Sequence, residues 1–267
     1  MKGYSETVRE LPPASLYKYR TPFRPQLERD RDIIVGSRLW AASPLAFNDP
    51  FDCFPFVDLS GSEREKRQWV KRYGMRHFAP APRHKRRRMV QQIEQGLRVS
   101  FRQGVPNADA GAQDAWRDVL ARTGVVSLAE RADDMLMWGY YADSHQGYCL
   151  EFTTNKEPFM LANRVKYADE RPVFRLFDPD RSDLMERLLL QKASFWRHER
   201  EWRIARMQGI GAIEFPPECL TAIILGANIS RDDEAALRQM ASDGQHAIAI
   251  RRARLDAKSF KLTIVDA

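Results

Sequence analysis

The chain has 267 residues, 43% of them hydrophobic and 30% charged, and 43 Lys and Arg against 36 Asp and Glu give it a net charge of +7. Such a chain can bury a full core, which excludes a disordered polymer, a collagen or a disulfide-stapled miniprotein. Its three cysteines, Cys53, Cys149 and Cys219, show no CxxC spacing and no neighbouring histidine pair, so neither a zinc ribbon nor a disulfide framework is expected, and a reducing cytoplasm is. No apolar run approaches the ~20 residues of a membrane span, and residues 1–13 are polar, so neither a membrane segment nor a signal peptide is expected.

From the N-terminus, residues 16–20 (LYKYR), 33–35 and 39–43 read as strands through alternation and β-branching. Residues 62–78 and 85–102 read as two amphipathic helices separated by Pro80 and Pro82. Between residues 66 and 102 stand twelve basic residues and one acid, Glu94, a net of +11 that leaves −4 for the rest of the chain. A mildly acidic body therefore carries one basic helical hairpin, residues 62–105. A hairpin of this kind is a platform for a nucleic-acid backbone or an acidic protein, with Arg86, Arg87 and Arg88 as its densest contacts.

After the hairpin, 113–121 reads as a helix and 123–128 as a strand. A second helix, 133–143, is capped by Asp133 or Asp134, and 148–152 is a buried strand. Residues 155–180 read as a long loop with one strand at 165–167. A helix at 182–195 leads into a strand at 199–206. The tail alternates strand (220–225), helix (231–242) and two strands (247–250, 262–265). Strands outnumber the helices between them and no phosphate-loop glycines are present, so one α+β domain spanning 1–267, with a mixed sheet, is expected rather than a doubly wound fold.

Four segments could carry chemistry. FNDPFDC (47–53) is a tight turn that sets Asn48, Asp49 and Asp52 among aromatics, as one wall of a pocket or as turn-capping groups. In MWGYYADSHQG, Trp138, Tyr141 and His145 share a helical face if the helix reaches that far; their polar tips suit a nucleobase or nicotinamide, although such a stripe also suits a core. In KASFWRHEREWRIAR, strand periodicity puts Glu199, Glu201 and Arg203 on one face, with Trp202 and Ile204 behind. That trio is either a functional pair of acids or an ion-pair ladder in which Arg203 neutralises both. LYKYR puts Lys18 and Arg20 on one face of the first strand, where they can grip a pyrophosphate.

LYKYR, LWAASPLAFNDPFDC, VVSLAE, MWGYYADSHQGYCLEF, KASFWRHEREWRI and AIILGANIS together resemble a bacterial domain-of-unknown-function family, over about residues 16–230. That resemblance implies no activity. The order of a cationic first strand, a middle serine, an aromatic helix and a late E-x-E strand is also similar to ADP-ribosyltransferases. The similarity implies a split-sheet cleft that binds NAD, with Glu201 catalytic and Glu199 orienting the acceptor. It further implies that Lys18 or Arg20 holds the NAD phosphates or ribose, that Ser127 fills the serine position, and that Trp138, Tyr141 and His145 lie against the nicotinamide half. Two other functions fit the residues. One is a metal-dependent nuclease or phosphoesterase built on Asp49, Asp52, Glu199 and Glu201, with Lys192 on phosphate. The other is a non-catalytic nucleic-acid-binding module. Of the three, the NAD-dependent reading gives the acids, the cations and the aromatics one joint role.

Overall fold

A computed structural model describes residues 10–22, 27–77, 80–102, 108–179, 184–206 and 208–267. In chain order its elements begin with β1 (Ser15–Arg20), α1 (Leu27–Ile34), β2 (Arg38–Ala41), β3 (Phe56–Asp58), the hairpin helices α2 (Glu63–His77) and α3 (Arg83–Arg102), and α4 (Ala108–Leu120). There follow β4 (Gly124–Ala129), α5 (Met135–Tyr141), β5 (Tyr148–Thr153), β6 (Asn163–Arg164), β7 (Lys166–Ala168), β8 (Val173–Arg175), α6 (Leu184–Leu189) and β9 (Gln191–Ala193). The chain closes with β10 (Glu201–Arg206), β11 (Gly211–Glu214), β12 (Leu220–Leu225), α7 (Arg231–Asp243), β13 (Ala249–Leu255) and β14 (Leu262–Asp266).

The architecture is α+β, around a mixed eight-stranded sheet of order β14-β13-β12-β5-β1-β4-β10-β6. Only β12 and β13 run parallel within it. Next to the middle of the sheet, β1 and β4 barely meet. β1 pairs with β5 from Ser15 to Arg20, and β4 pairs with β10 from Gly124 to Ala129, yet β1 and β4 share the single pair Tyr17↔Ala129. Beyond that pair the sheet splits, and the lips of the split are Lys18 to Arg20 on one side and residues 125–128 on the other.

Alternation along these strands builds a core on each face. Leu16, Leu128, Tyr148, Leu150, Trp202 and Ile204 pack under α1 and α7, while Tyr19, Ala129 and Cys149 pack against Met137, Trp138 and Ala142 of the α5 region. A third cluster joins the FNDPFD loop to α4 and α6 through Cys53, Trp116, Leu120, Leu188 and Leu189. The Trp116 indole donates to the Cys53 carbonyl at 2.8 Å, which ties loop to helix.

Several expected elements come out differently, among them residues 155–180, where the one expected strand is three short ones, β6, β7 and β8. Residues 33–35 are not a strand: Ile33 and Ile34 close α1 and are buried, because their burial against the sheet outweighs β-propensity. The helix expected over 182–195, whose start at Ser182 lies outside the described residues, ends at Leu189. The chain then extends as β9 beside β7, and coils as a short 3-10 turn, Ser194–Glu199. Arg200 takes a left-handed φ of 44°, so β10 starts at Glu201 rather than at residue 199. Finally, α5 is capped by Asp134, which accepts from the Leu136 and Met137 amides, and it stops at Tyr141. Asp143, Ser144 and His145 all have positive φ, which ends the helix before it can reach His145. Gly147 then passes so close to β1 that a Cβ there would sit 2.1 Å from the Arg20 carbonyl oxygen.

Candidate active site

At the floor of the split lies a buried network of five charges. Arg203, on β10, uses all five of its N–H donors. Nε and Nη2 reach Glu201 at 2.7 and 2.9 Å, Nη1 and Nη2 reach Asp52 at 2.9 and 2.6 Å, and Nη1 also reaches the Leu189 carbonyl at 2.7 Å. Its guanidinium carbon lies 5.3 Å from the centre of the Phe47 ring. Lys192, on β9, donates to Glu199 at 2.5 Å and to Glu201 at 3.1 Å, and lies 3.5 Å from Asp52. The Tyr141 hydroxyl donates to Glu199 at 2.6 Å and accepts from the Asn48 amide at 3.2 Å. Three turns of unrelated sequence are thereby locked together: the FNDPFD loop, the end of α5 and the approach to β10.

Three carboxylates thus face two cations, and the surplus negative charge falls on one of them. Burial alone would raise the Glu201 pKa, but the adjacent Arg203 and Lys192 outweigh it and hold the carboxyl at about 2. Glu199 goes the other way: burial, with Glu201 repelling it, lifts its pKa above the usual carboxylate range despite Lys192 and the Tyr141 hydrogen bond. Lys192 rises above the ordinary lysine range, because the Glu201, Glu199 and Asp52 charges overcome the burial that opposes its ionisation. Glu201 is therefore a fixed anion, and Glu199 is the carboxyl poised to exchange a proton.

Above this floor opens a cavity of about 400 Å³, within the range of small-ligand sites. Lys18, Arg20, Ser127, Tyr141, Glu199 and Glu201 all line it, as do Asn48 and Asp52. Towards its mouth stand Arg29, Arg38 and Trp40, the last 49% exposed. The two lip cations differ. Arg20 is already held by the buried Asp30, at 2.5 and 3.1 Å, whereas Lys18 donates to the neutral Ser127 carbonyl at 3.0 Å and has no carboxylate within ion-pairing distance among the described residues. Burial, helped by the neighbouring Arg20 charge, lowers the Lys18 pKa to about 8. A cationic lip, flat rings and an acidic floor thus enclose one space.

Residues 137–204 match the model of a family described as "Protein of unknown function (DUF2971)". No curated protein and no solved structure matches the chain. The DUF2971 stretch takes in α5 from Met137 and β10 as far as Ile204, and with them Tyr141, Lys192, Glu199, Glu201 and Arg203; Lys18, Asn48, Asp52 and Ser127 lie outside it.

Several expected roles shift. Trp138 does not face the cavity: it is fully buried, donates to the Ala132 carbonyl at 2.7 Å and meets Tyr19 edge-on at 5.2 Å. The α5 residues that do line the cavity are Met137 and Tyr141, one turn apart. His145 stacks on Trp138 at 6.2 Å and is not among the lining residues. Asp49 closes its own turn by accepting from the Phe51 amide at 2.8 Å, and Asp52, at the cavity wall, accepts from Arg203 with both oxygens. Arg203 does not touch Glu199, whose partners are Lys192 and Tyr141. In the hairpin, Arg87 and Arg88 are exposed, but Arg86 folds back to the Ala81 carbonyl at 3.3 Å. Lys192, expected on phosphate and inside a helix, instead stands on β9 and pairs with Glu199 and Glu201. Its signal was there, however, since an isolated lysine beside an apolar run must be paired if it is buried. Glu151, an acid in an apolar strand, is paired as such a residue must be, with Arg251 and Ser15.

Proposed function

We propose that the chain is an NAD-consuming, ADP-ribosyltransferase-like enzyme of the toxin or defence type, acting in the cytoplasm. One observation carries the reading: Lys18, Ser127, Tyr141, Glu199 and Glu201, which lie up to 183 positions apart in sequence, surround a single cavity at the point where β1 and β4 separate. Lys18 and the Arg29–Arg38 mouth meet the pyrophosphate, and Tyr141 and Trp40 offer ring faces to the base or nicotinamide. The fixed charge of Glu201 stabilises positive charge that develops at the ribose as the C1′–N bond breaks. The bonding pair leaves with the nicotinamide nitrogen, whose pyridinium charge it neutralises. An acceptor oxygen or nitrogen then bonds C1′ and gives its proton to Glu199, whose raised pKa fits that task.

The metal-dependent reading is weaker on this geometry. The carboxylates it enlists are already satisfied by Lys192 and Arg203, and Asp49 is committed to its turn. Among the described residues no group of three or more His, Cys, Asp and Glu is disposed to hold a metal ion, and no helix is long and apolar enough to cross a membrane. For the basic hairpin we propose a polyanionic partner, nucleic acid or acidic protein.

The test is nicotinamide release from NAD by the wild-type chain, by Glu199→Gln and by Lys18→Met. We expect release by the wild type, a loss of 100-fold or more (~10²–10⁴, the usual weight of one proton-transferring group) in Glu199→Gln, and a raised KM in Lys18→Met. Equal release by wild type and Glu199→Gln, or no release and no thermal stabilisation by NAD, overturns the reading.

A further inference from the structure

The helices α2 and α3 pack against each other, and none of their described residues lines the cavity. On α2, Arg64, Arg67 and Lys71 are exposed at spacings of three and four residues, which stacks them on one face over about 10 Å of helix. On α3, Arg83, Arg87 and Arg88 are exposed within the first two turns, and no acid occupies the first turn, where the helix dipole favours one. Among the described residues none of these six takes an ion-pair partner; the two acids of α2 are engaged elsewhere, Glu65 with Ser62 and Glu63 with Lys66. Away from that cationic face, the ring of Tyr73, 41% exposed, stacks on Trp69 at 5.0 Å and 10°.

We infer that this face binds the phosphodiester backbone of a nucleic acid. Two features choose it over an acidic protein. The only large hydrophobic side chains that the described part of the hairpin exposes are Tyr73 and Met89, so a protein partner would find almost no apolar anchors for the centre of an interface. A nucleic acid needs none: regularly spaced guanidinium and ammonium groups meet its phosphates without apolar anchors. The inference names the partner of the proposed enzyme but does not rest on its chemistry, since none of these residues lines the cavity.

Fluorescence anisotropy of the full chain, with labelled single-stranded DNA, single-stranded RNA and duplex DNA, tests it. If about six phosphates are neutralised on a single strand, affinity falls about 300-fold from 50 to 200 mM salt. Arg83→Ala, Arg87→Ala and Arg88→Ala together should reduce that fall to about 20-fold, with the melting temperature unchanged. A fall of that size with any of the three nucleic acids, reduced to about 20-fold in the triple variant, supports the inference. Salt-independent binding, an unaltered triple variant, or competition by polyglutamate as effective as that by an oligonucleotide of equal charge overturns it. Nicotinamide release by the triple variant, measured alongside without acceptor, should stay at the wild-type level, so a failure of the NAD reading and a failure of this one are told apart.

Discussion

Replacing Glu201 and Glu199 separately by Gln should split stability from activity. The Glu201 carboxyl is held at about 2 against an ordinary 4.5, a difference that corresponds to about 3 kcal/mol of stability at neutral pH. The contacts give a similar magnitude, because Glu201→Gln weakens two bonds from Arg203 and one from Lys192, each charge-assisted. The loss stays near about 3 kcal/mol, rather than the larger cost of a stranded ion, because Asp52 still neutralises Arg203 and Glu199 still neutralises Lys192. Glu199 has the opposite sign. Its raised pKa means that its ionised form is a burden on the fold at neutral pH, so Glu199→Gln should be neutral or slightly stabilising. Thermal melts at pH 7 should place Glu201→Gln about 6–12 °C below wild type and Glu199→Gln within about 2 °C of it. Because a depressed carboxyl contributes above its unfolded pKa and loses that contribution as pH falls towards its folded one, the Glu201→Gln gap should hold from neutral pH to about 5 and narrow below 4.5. In the nicotinamide assay both variants should be slow, and only Glu199→Gln slow while fully folded. A Glu199→Gln protein that melts as low as Glu201→Gln, or a gap that widens in acid, would refute this division of roles.

Further outcomes follow from the same geometry. Lys18, with its pKa lowered to about 8, should bind anionic ligand less well as pH rises through 8, and Lys18→Arg should abolish that dependence; calorimetric titration with NAD from pH 6.5 to 9.5 checks it. Tyr141→Phe removes a hydrogen bond that lowers the Glu199 pKa, so the ascending limb of the rate against pH should move to higher pH. Trp138→Ala should destabilise by about 3–5 kcal/mol in urea melts, with no change in KM among molecules that remain folded, because the indole is core and not cavity wall. Arg203→Met strands three carboxylates against Lys192 alone and should cost about 3–5 kcal/mol; adding Asp52→Asn should recover part of it, which a double-mutant cycle measures as coupling.

The parts of this arrangement that a sequence shows are those with a local period. Alternation puts Glu201 and Arg203 on one side of β10 and Trp202 and Ile204 on the other, although Glu199, expected on the same strand, lies in the turn before it; of the two candidate caps, Asp133 and Asp134, it is Asp134 that starts α5. Capping and alternation act within a few residues, and composition alone isolates the basic hairpin. What stayed hidden depends on partners far along the chain. Asp52 and Arg203 are 151 positions apart, and no local rule says that Asp52 rather than Glu199 fills the second side of the guanidinium. The extended β9 likewise depends on a partner about 25 positions back, β7, with which it pairs in parallel. Trp138, Tyr141 and His145 fit a helical stripe on paper, and three positive-φ residues undo it.

Those long-range contacts also explain why the acids lie where they do. A carboxylate at the floor of an open split would, alone, draw water or protonate. Arg203, anchored by Asp52, Phe47 and the Leu189 carbonyl, fixes the position and charge of Glu201 before any ligand arrives. Lys192 can satisfy only part of the remaining negative charge, and the residue left over is Glu199, beside Tyr141 and facing the cavity. The turn that carries FNDPFD therefore acts on the chemistry from outside it. By holding Arg203 it keeps one glutamate ionised at neutral pH, and by doing so raises the proton affinity of the other.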